Sequence, residues 1–213
     1  MKRRKKGEKA LNGVVYFLLI LVLMITIIPI GWVLSTSVKT TTEVFANPPR
    51  WIPDVLTIEN YKTVFLDSEI PRAFLNSVIV GLLTSLIALL LGGSSGYAFA
   101  RFQFRGSKFL SLFMLISQML PLTVLMIPMY YMENEIGLID TKIGLAIAHL
   151  VISLPLVTWM AKGYFKGIPK EIEEAATVDG CSTMQTLTKI VLPLLKPALV
   201  ATGIYAFISS WNE

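Results

Sequence analysis

The chain has 213 residues, 54% of them hydrophobic and only 15% charged, against about 25% charged in ordinary soluble domains. That balance argues against a soluble domain and makes a membrane protein the starting expectation. The net charge of +5 would suit a nucleic-acid ligand, but the 19 Lys and Arg sit at the edges of apolar runs. With one cysteine, Cys181, and one histidine, His149, an intrachain disulfide is impossible and the ligands for a dedicated zinc site are missing.

A basic stretch over residues 1–13 precedes the first apolar run, Val14 to Leu34. Crossing a hydrocarbon core takes about 20 residues at 1.5 Å each, so this run is long enough to span. It exceeds the apolar stretch of a signal peptide, and no small-residue cleavage pattern follows at Ser35 to Val38, so it is expected to stay attached. Residues 35–74 are too polar to cross and are broken by Pro48, Pro49 and Pro53. They read as an external excursion with a short helix capped by Thr57, stapled by Leu56 against Tyr61, with Ile58, Tyr61 and Phe65 on one face. That face is expected on the membrane surface or neighbouring spans, and the segment would serve either as contact for an external binding protein or as a packed connection.

Three more runs can span: Leu75 to Ala100, Phe109 to Met132 and Ile143 to Tyr164. A fifth opens at Pro197 and reaches Glu213, which reads as a span interrupted by the end of the chain. Lys162 lies near the end of its run, where a long side chain can snorkel to the interface. Pro29, Pro121, Pro128 and Pro155 fall within runs and mark kinks or hinges. Fourteen basic residues fall on the N-terminus and the second and fourth connections, and five on the other side. The positive-inside rule therefore puts the N-terminus in the cytoplasm, and the distribution leaves no basic face for nucleic acid.

The fourth connection, residues 165–196, is the longest on the cytoplasmic side and the best punctuated. Pro169 suits a first helical turn, Glu171, Glu173 and Glu174 favour its N-terminal half, and Gly180 suits a left-handed end. Ser182 opens a second helix with Gln185 completing a capping box, and Met184, Leu187 and Val191 share a face up to Pro193. The expectation is a helix-turn-helix against the cytoplasmic side. Its first helix is acidic, with Lys170 alone against Glu171, Glu173, Glu174 and Asp179, so it would repel DNA phosphates. An acidic helix with small residues Ala175 and Ala176 suits a basic groove on another protein.

These residues carry a resemblance. Glu174-Ala175-Ala176, then Gly180, then Ile190 and Leu192-Pro193 match at every defined position the EAA loop of the permease subunits of bacterial ABC importers. Pro48-Pro49-Arg50-Trp51-Ile52-Pro53 before Glu59-Asn60-Tyr61, Gly137-Leu138-Ile139-Asp140-Thr141, and Trp211-Asn212-Glu213 resemble the carbohydrate-uptake branch, similar to the smaller maltose-transporter permease. The resemblance runs from the first span onward. It implies an all-α transmembrane bundle of the type I importer fold with six spans, of which this chain would lack the end of the fifth and all of the sixth. It implies a multi-pass protein of the bacterial inner membrane, working with a second permease, two cytoplasmic ATPase subunits and an external solute-binding protein. The chain itself would be non-catalytic and hold no cofactor; ATP and Mg would be bound by the ATPase subunits. By the same resemblance Glu174 would pair with a basic residue in the ATPase cleft, with Ala175, Ala176 and Asp179 beside it. Gly180 would supply the turn, and Ile190, Leu192 and Pro193 would seat the loop on the span ends.

Polar residues within spans are candidates to line a solute path, because exposing them to lipid costs free energy. Asn76, Gln118, Thr123, His149 and Ser153 are the candidates, with Gln118 foremost for its mid-run amide and nearby Pro121. Gly92, Gly93 and Gly96 are read instead as sites of close helix packing. A lone histidine with no carboxylate in any span argues against proton coupling. A secondary transporter would call for buried charges or inverted repeats, and a membrane enzyme for a His-Glu pair or a Gly-x-Ser-x-Gly elbow at a strand-to-helix turn; Gly92-Gly93-Ser94-Ser95-Gly96 has the elbow's spacing but lies within an apolar run, and the sequence offers none of the others.

Overall fold

A computed structural model describes the backbone of residues 2–213 and the side chains from Leu11 onward. The basic side chains of the N-terminal stretch, Lys2 to Lys9, lie outside the described set. Among the described residues there are helices and no strands, and the chain divides into two compact units, residues 1–71 and 72–213.

The first unit opens with α1 (Lys2–Ser37), an uninterrupted helix despite Pro29. The segment after α1 then folds back on itself around α2 (Thr41–Val44) and α3 (Glu59–Leu66). Lys39 is only 1% exposed; its ammonium donates to the Arg50 carbonyl and lies 4.3 Å from the Trp32 ring centroid. Asn60 donates to the Ser37 carbonyl at 3.0 Å and to the Lys39 carbonyl at 2.8 Å. The half-buried Asn60 amide thus satisfies carbonyls of the turn that leaves α1, and the buried Lys39 ammonium ties that turn to Arg50. The expected helix is present, with its cap displaced: Ile58 is the N-cap, and the Thr57 hydroxyl accepts from the Glu59 amide at 3.1 Å. Leu56, Ile58 and Phe65 are exposed, so the expected staple and shared face bury nothing within this unit.

The second unit is built on α4 (Ile70–Arg101, counted here from Arg72) and α7 (Lys142–Gly167). Both extend past the apolar runs that announce them, because helix-compatible polar residues flank each run. The run 109–132 departs from expectation: it is two helices, α5 (Ser107–Ser117) and α6 (Leu122–Glu135), bent by 104° at their break. Pro121 supplies the reason. It has no N–H for the α5 ladder, its ψ of 131° is extended, and α6 starts immediately after it. The helix ladder loosens ahead of it, with Met119 and Leu120 bonding three residues back to Ile116 and Ser117. Pro128, within α6, causes no break.

The core runs along the α4–α7–α11 seam, where α11 is Lys196–Trp211. A Cβ on Gly92 would fall 2.6 Å from a methyl of Val157, and one on Gly96 2.6 Å from the Ala161 Cβ and 2.8 Å from the Lys162 backbone nitrogen. Glycine four apart on one face lets the α4 backbone approach α7 closely, which is how helices associate where water offers no hydrophobic drive. Gly93 faces elsewhere, with nothing within 4 Å. Ala88, Leu150, Val157 and Ala206 form one buried cluster along the seam, and Tyr97, Ala161, Phe165, Ile168, Val191 and Leu195 form a second near its end. By length and apolarity, three described helices can cross a membrane, or up to five if each bent pair is one span.

Candidate functional site

The loop after α7 folds as its punctuation dictates. Helix α8 (Lys170–Val178) carries Glu171 and Glu173 in its first turn, where negative charge meets the positive end of the helix dipole. It ends on Gly180 at φ +84°, a conformation that only glycine adopts without strain. The Gly180 amide bonds the Thr177 carbonyl at 3.0 Å and the Cys181 amide the Ala176 carbonyl at 2.9 Å, the paired bonds of a Schellman end. Ser182 caps α9 (Thr183–Thr186), and the reciprocal bonds of the capping box to Gln185 are both formed.

From Leu187 to Val191 the helix widens into a π-turn, followed by α10 (Leu192–Leu194) and then a 79° bend into α11. Pro193 explains the widening, because its ring would clash with the carbonyl of Lys189 in a regular α-turn. Val191, on the face expected with Leu187, and Leu195 are buried against Phe165 and Tyr97, with Leu192 packed beside them, whereas Ile190 is half-buried outside that cluster and Pro193 is exposed.

On α8, Ala176 is buried, and Glu174, Ala175, Asp179 and Gly180 are exposed. Val178 stands 87% exposed beside them and Met184 67%. The helix pair thus turns an acidic and apolar surface away from its own spans. The opposite face holds a residue that sequence reasoning used only as a dipole charge. Glu173 accepts from Arg101 Nε at 2.5 Å and from the Tyr97 hydroxyl at 3.0 Å, and Arg101 also donates to the Ile168 carbonyl at 2.9 Å. The Arg101 and Glu173 side chains are 8% and 15% exposed. This pair ties α8 to the end of α4. The sequence signal was present: Arg101 closes an apolar span and needs a counterion, and Glu173 lies one helical turn from Ala176, on the same side of α8.

The five candidate path residues do not converge. Gln118 donates to the Ile152 carbonyl of α7 at 2.8 Å and lines a cavity of about 240 Å³ with Ser117, Leu122, Leu125 and Tyr205. Its amide bridges the α5–α6 break to α7. His149 and Ser153 belong to the seam: His149 Nδ1 lies 2.6 Å from Ser210 Oγ, Ser210 donates to Thr84 at 3.4 Å, and Thr84 donates to the Ala146 carbonyl at 3.3 Å. Ser153 bonds back to the His149 carbonyl at 3.1 Å. That chain of hydroxyls joins α4, α7 and α11 and satisfies polar groups that lipid could not. Asn76 is half-buried on α4 and Thr123 is exposed on α6.

Residues 88–213 match the family model of the binding-protein-dependent transport system inner membrane component. The chain belongs to this family. It is the permease subunit of an ATP-driven importer and a multi-pass component of the inner membrane, which replaces the secondary-transporter reading. The permease is 35% identical over 193 residues to the trehalose transport system permease protein SugB of Mycobacterium tuberculosis, covering 91% of this chain and 70% of SugB. It is 31% identical over 207 residues to the diacetylchitobiose uptake system permease protein NgcG of Streptomyces coelicolor, covering 97% of this chain and 68% of NgcG. A crystal structure of a bacterial ABC transporter involved in the import of the acidic polysaccharide alginate superposes with a TM-score of 0.80 at 25% identity, covering 97% of this chain and 72% of that one. Membership implies an ATPase and a substrate-binding protein as partners.

Proposed function

We propose that the permease imports a sugar or sugar derivative and is driven through the α8–α9 helix pair, which docks in a cleft of the ATPase subunit. The observation that carries the docking reading is the division of labour on α8: Glu173 is consumed by Arg101 and Tyr97 of α4, whereas Glu174 one residue on faces outward with Ala175, Val178 and Asp179. One face transmits force to the spans and the other receives it. Closure of the ATPase dimer would move the docked helix pair as a rigid body, and the ion pair would pass that movement to α4.

In this reading the permease catalyses nothing and holds no cofactor. ATP and Mg are bound by the two ATPase subunits, the N-terminus lies in the cytoplasm, and the second half of the path comes from a different permease subunit. The saccharide class rests on the substrates named for SugB and NgcG. The test is co-purification: Glu174→Lys and Gly180→Pro should insert normally, lose the ATPase and lose solute uptake. Normal uptake by both would refute the docking.

A further inference from the structure

Where α4 ends and α5 begins, Gly106 at φ +88° reverses the chain and brings it against the last turns of α7. These three helix ends and the first residue of α8 line a cavity of about 700 Å³ whose wall contains Lys108, Lys162, Lys166 and Lys170. No carboxylate lines it, and its one other cation, Arg101, is already paired with Glu173. The remaining wall includes Phe99, Phe104 and Phe109.

Lys162 is the informative member. It is half-buried within a membrane-length helix, its ammonium donates to Ser111 Oγ at 2.6 Å, and it lies 5.6 Å from the Phe99 ring centroid. Both partners are neutral. A cation taken partly out of water with only a hydroxyl and a ring beside it lacks the counter-charge that such a position demands. Lys166 follows one turn later on the same helix face, and Lys108 closes the site from α5.

On the other side of Lys162 and Lys166 a second cavity of about 550 Å³ runs along α7, lined by Trp159, Met160, Gly163 and Tyr164. The basic chamber and the apolar groove thus share Lys162 and Lys166, and the groove carries Trp159 and Tyr164, residue types enriched at the headgroup layer.

We infer that this chamber binds the phosphoryl headgroup of an anionic membrane phospholipid, with an acyl chain along Trp159 and Tyr164. A basic recess between helix ends at the bilayer surface is the arrangement that captures such headgroups, and each lysine near the surface contributes roughly a fivefold preference for anionic over zwitterionic lipid. A headgroup phosphate at Lys162 would supply the missing counter-charge and fix the α4–α5 turn against α7, beside the Arg101–Glu173 pair. The inference concerns lipid chemistry alone, so its failure would leave the importer assignment intact.

Native mass spectrometry of the intact transporter complex, incubated with equal amounts of phosphatidylglycerol and phosphatidylcholine, reads the bound lipid directly. Wild type should retain phosphatidylglycerol at least about tenfold over phosphatidylcholine. Lys162→Gln should lower that preference about fivefold, and Lys166→Gln with Lys170→Gln, which leaves the Lys162–Ser111 bond untouched, should lower it further without loss of folded complex. Lys189→Gln, outside the chamber, should change nothing. Equal retention of both lipids by wild type, or an undiminished preference in both chamber variants, would overturn the inference. Millimolar inorganic phosphate that abolishes the preference would assign the chamber to a soluble anion, and loss of a partner subunit from the variants at unchanged lipid preference would assign it to a protein; either result overturns it.

Discussion

The two sides of α7 are built on opposite principles. Toward α4 and α11, glycines and small hydroxyls bring backbones together, Thr84, His149 and Ser210 join three helices, and the Arg101–Glu173 pair closes the end. Toward α5 and α6, neither helix has a buried residue, the pair is bent by 104°, and the described side-chain bonds to α7 are those of Gln118 and Lys162. A transporter needs both. In the proposed mechanism the first side would carry a displacement from the docked loop without deforming, and the second would yield around the path.

Substitutions can break this contrast at graded cost. Gly96→Val should have the largest effect, because its Cβ would meet the backbone of α7 at Lys162, which cannot turn aside; loss of monodisperse protein on size-exclusion chromatography is the expected outcome, whereas Gly93→Ala should elute as wild type. Glu173→Ala strands Arg101 in a nearly closed site, and a loss of about 3 kcal/mol is expected from melting curves of the purified complex. Gly180→Ala forces a Cβ into the left-handed region for about 1 kcal/mol, so uptake should fall in part while the loop still folds. Gln118→Leu should cost least, on the order of 0.5 kcal/mol, since it removes one exposed bond across the loosely packed side. If Gln118→Leu destabilised more than Glu173→Ala, the assignment of rigid and yielding sides would be reversed.

Much of this was legible beforehand, for physical reasons. Apolar run length marked α1, α4 and α7, and local capping chemistry announced Gly180, Ser182 and Gln185, because caps and left-handed turns depend on neighbours in sequence. The spacing from Glu174 to Pro193 pointed to the family. What stayed hidden depends on contacts between distant segments. Glu173 and Glu174 are adjacent identical residues, and only the packing of α8 on α4 gives one an internal partner and leaves the other outside. His149 and Ser153 are polar residues at mid-run, and whether such groups face a path or a neighbouring helix is decided by rotation about α7. The π-turn ahead of Pro193 was not legible, and at Pro121 the sequence marked a kink or hinge without showing that the break reaches 104° while Pro128 leaves its helix unbroken.

The central claim is that the outward face of α8 meets the ATPase while the inward face holds α4. The most direct measurement places a photo-activated crosslinker at Val178, and in a separate variant at Ala176, in the assembled transporter. The account predicts an adduct between position 178 and the ATPase subunit and none from position 176. A complex that remains intact yet gives no ATPase adduct from position 178, or gives one from position 176 instead, would contradict it.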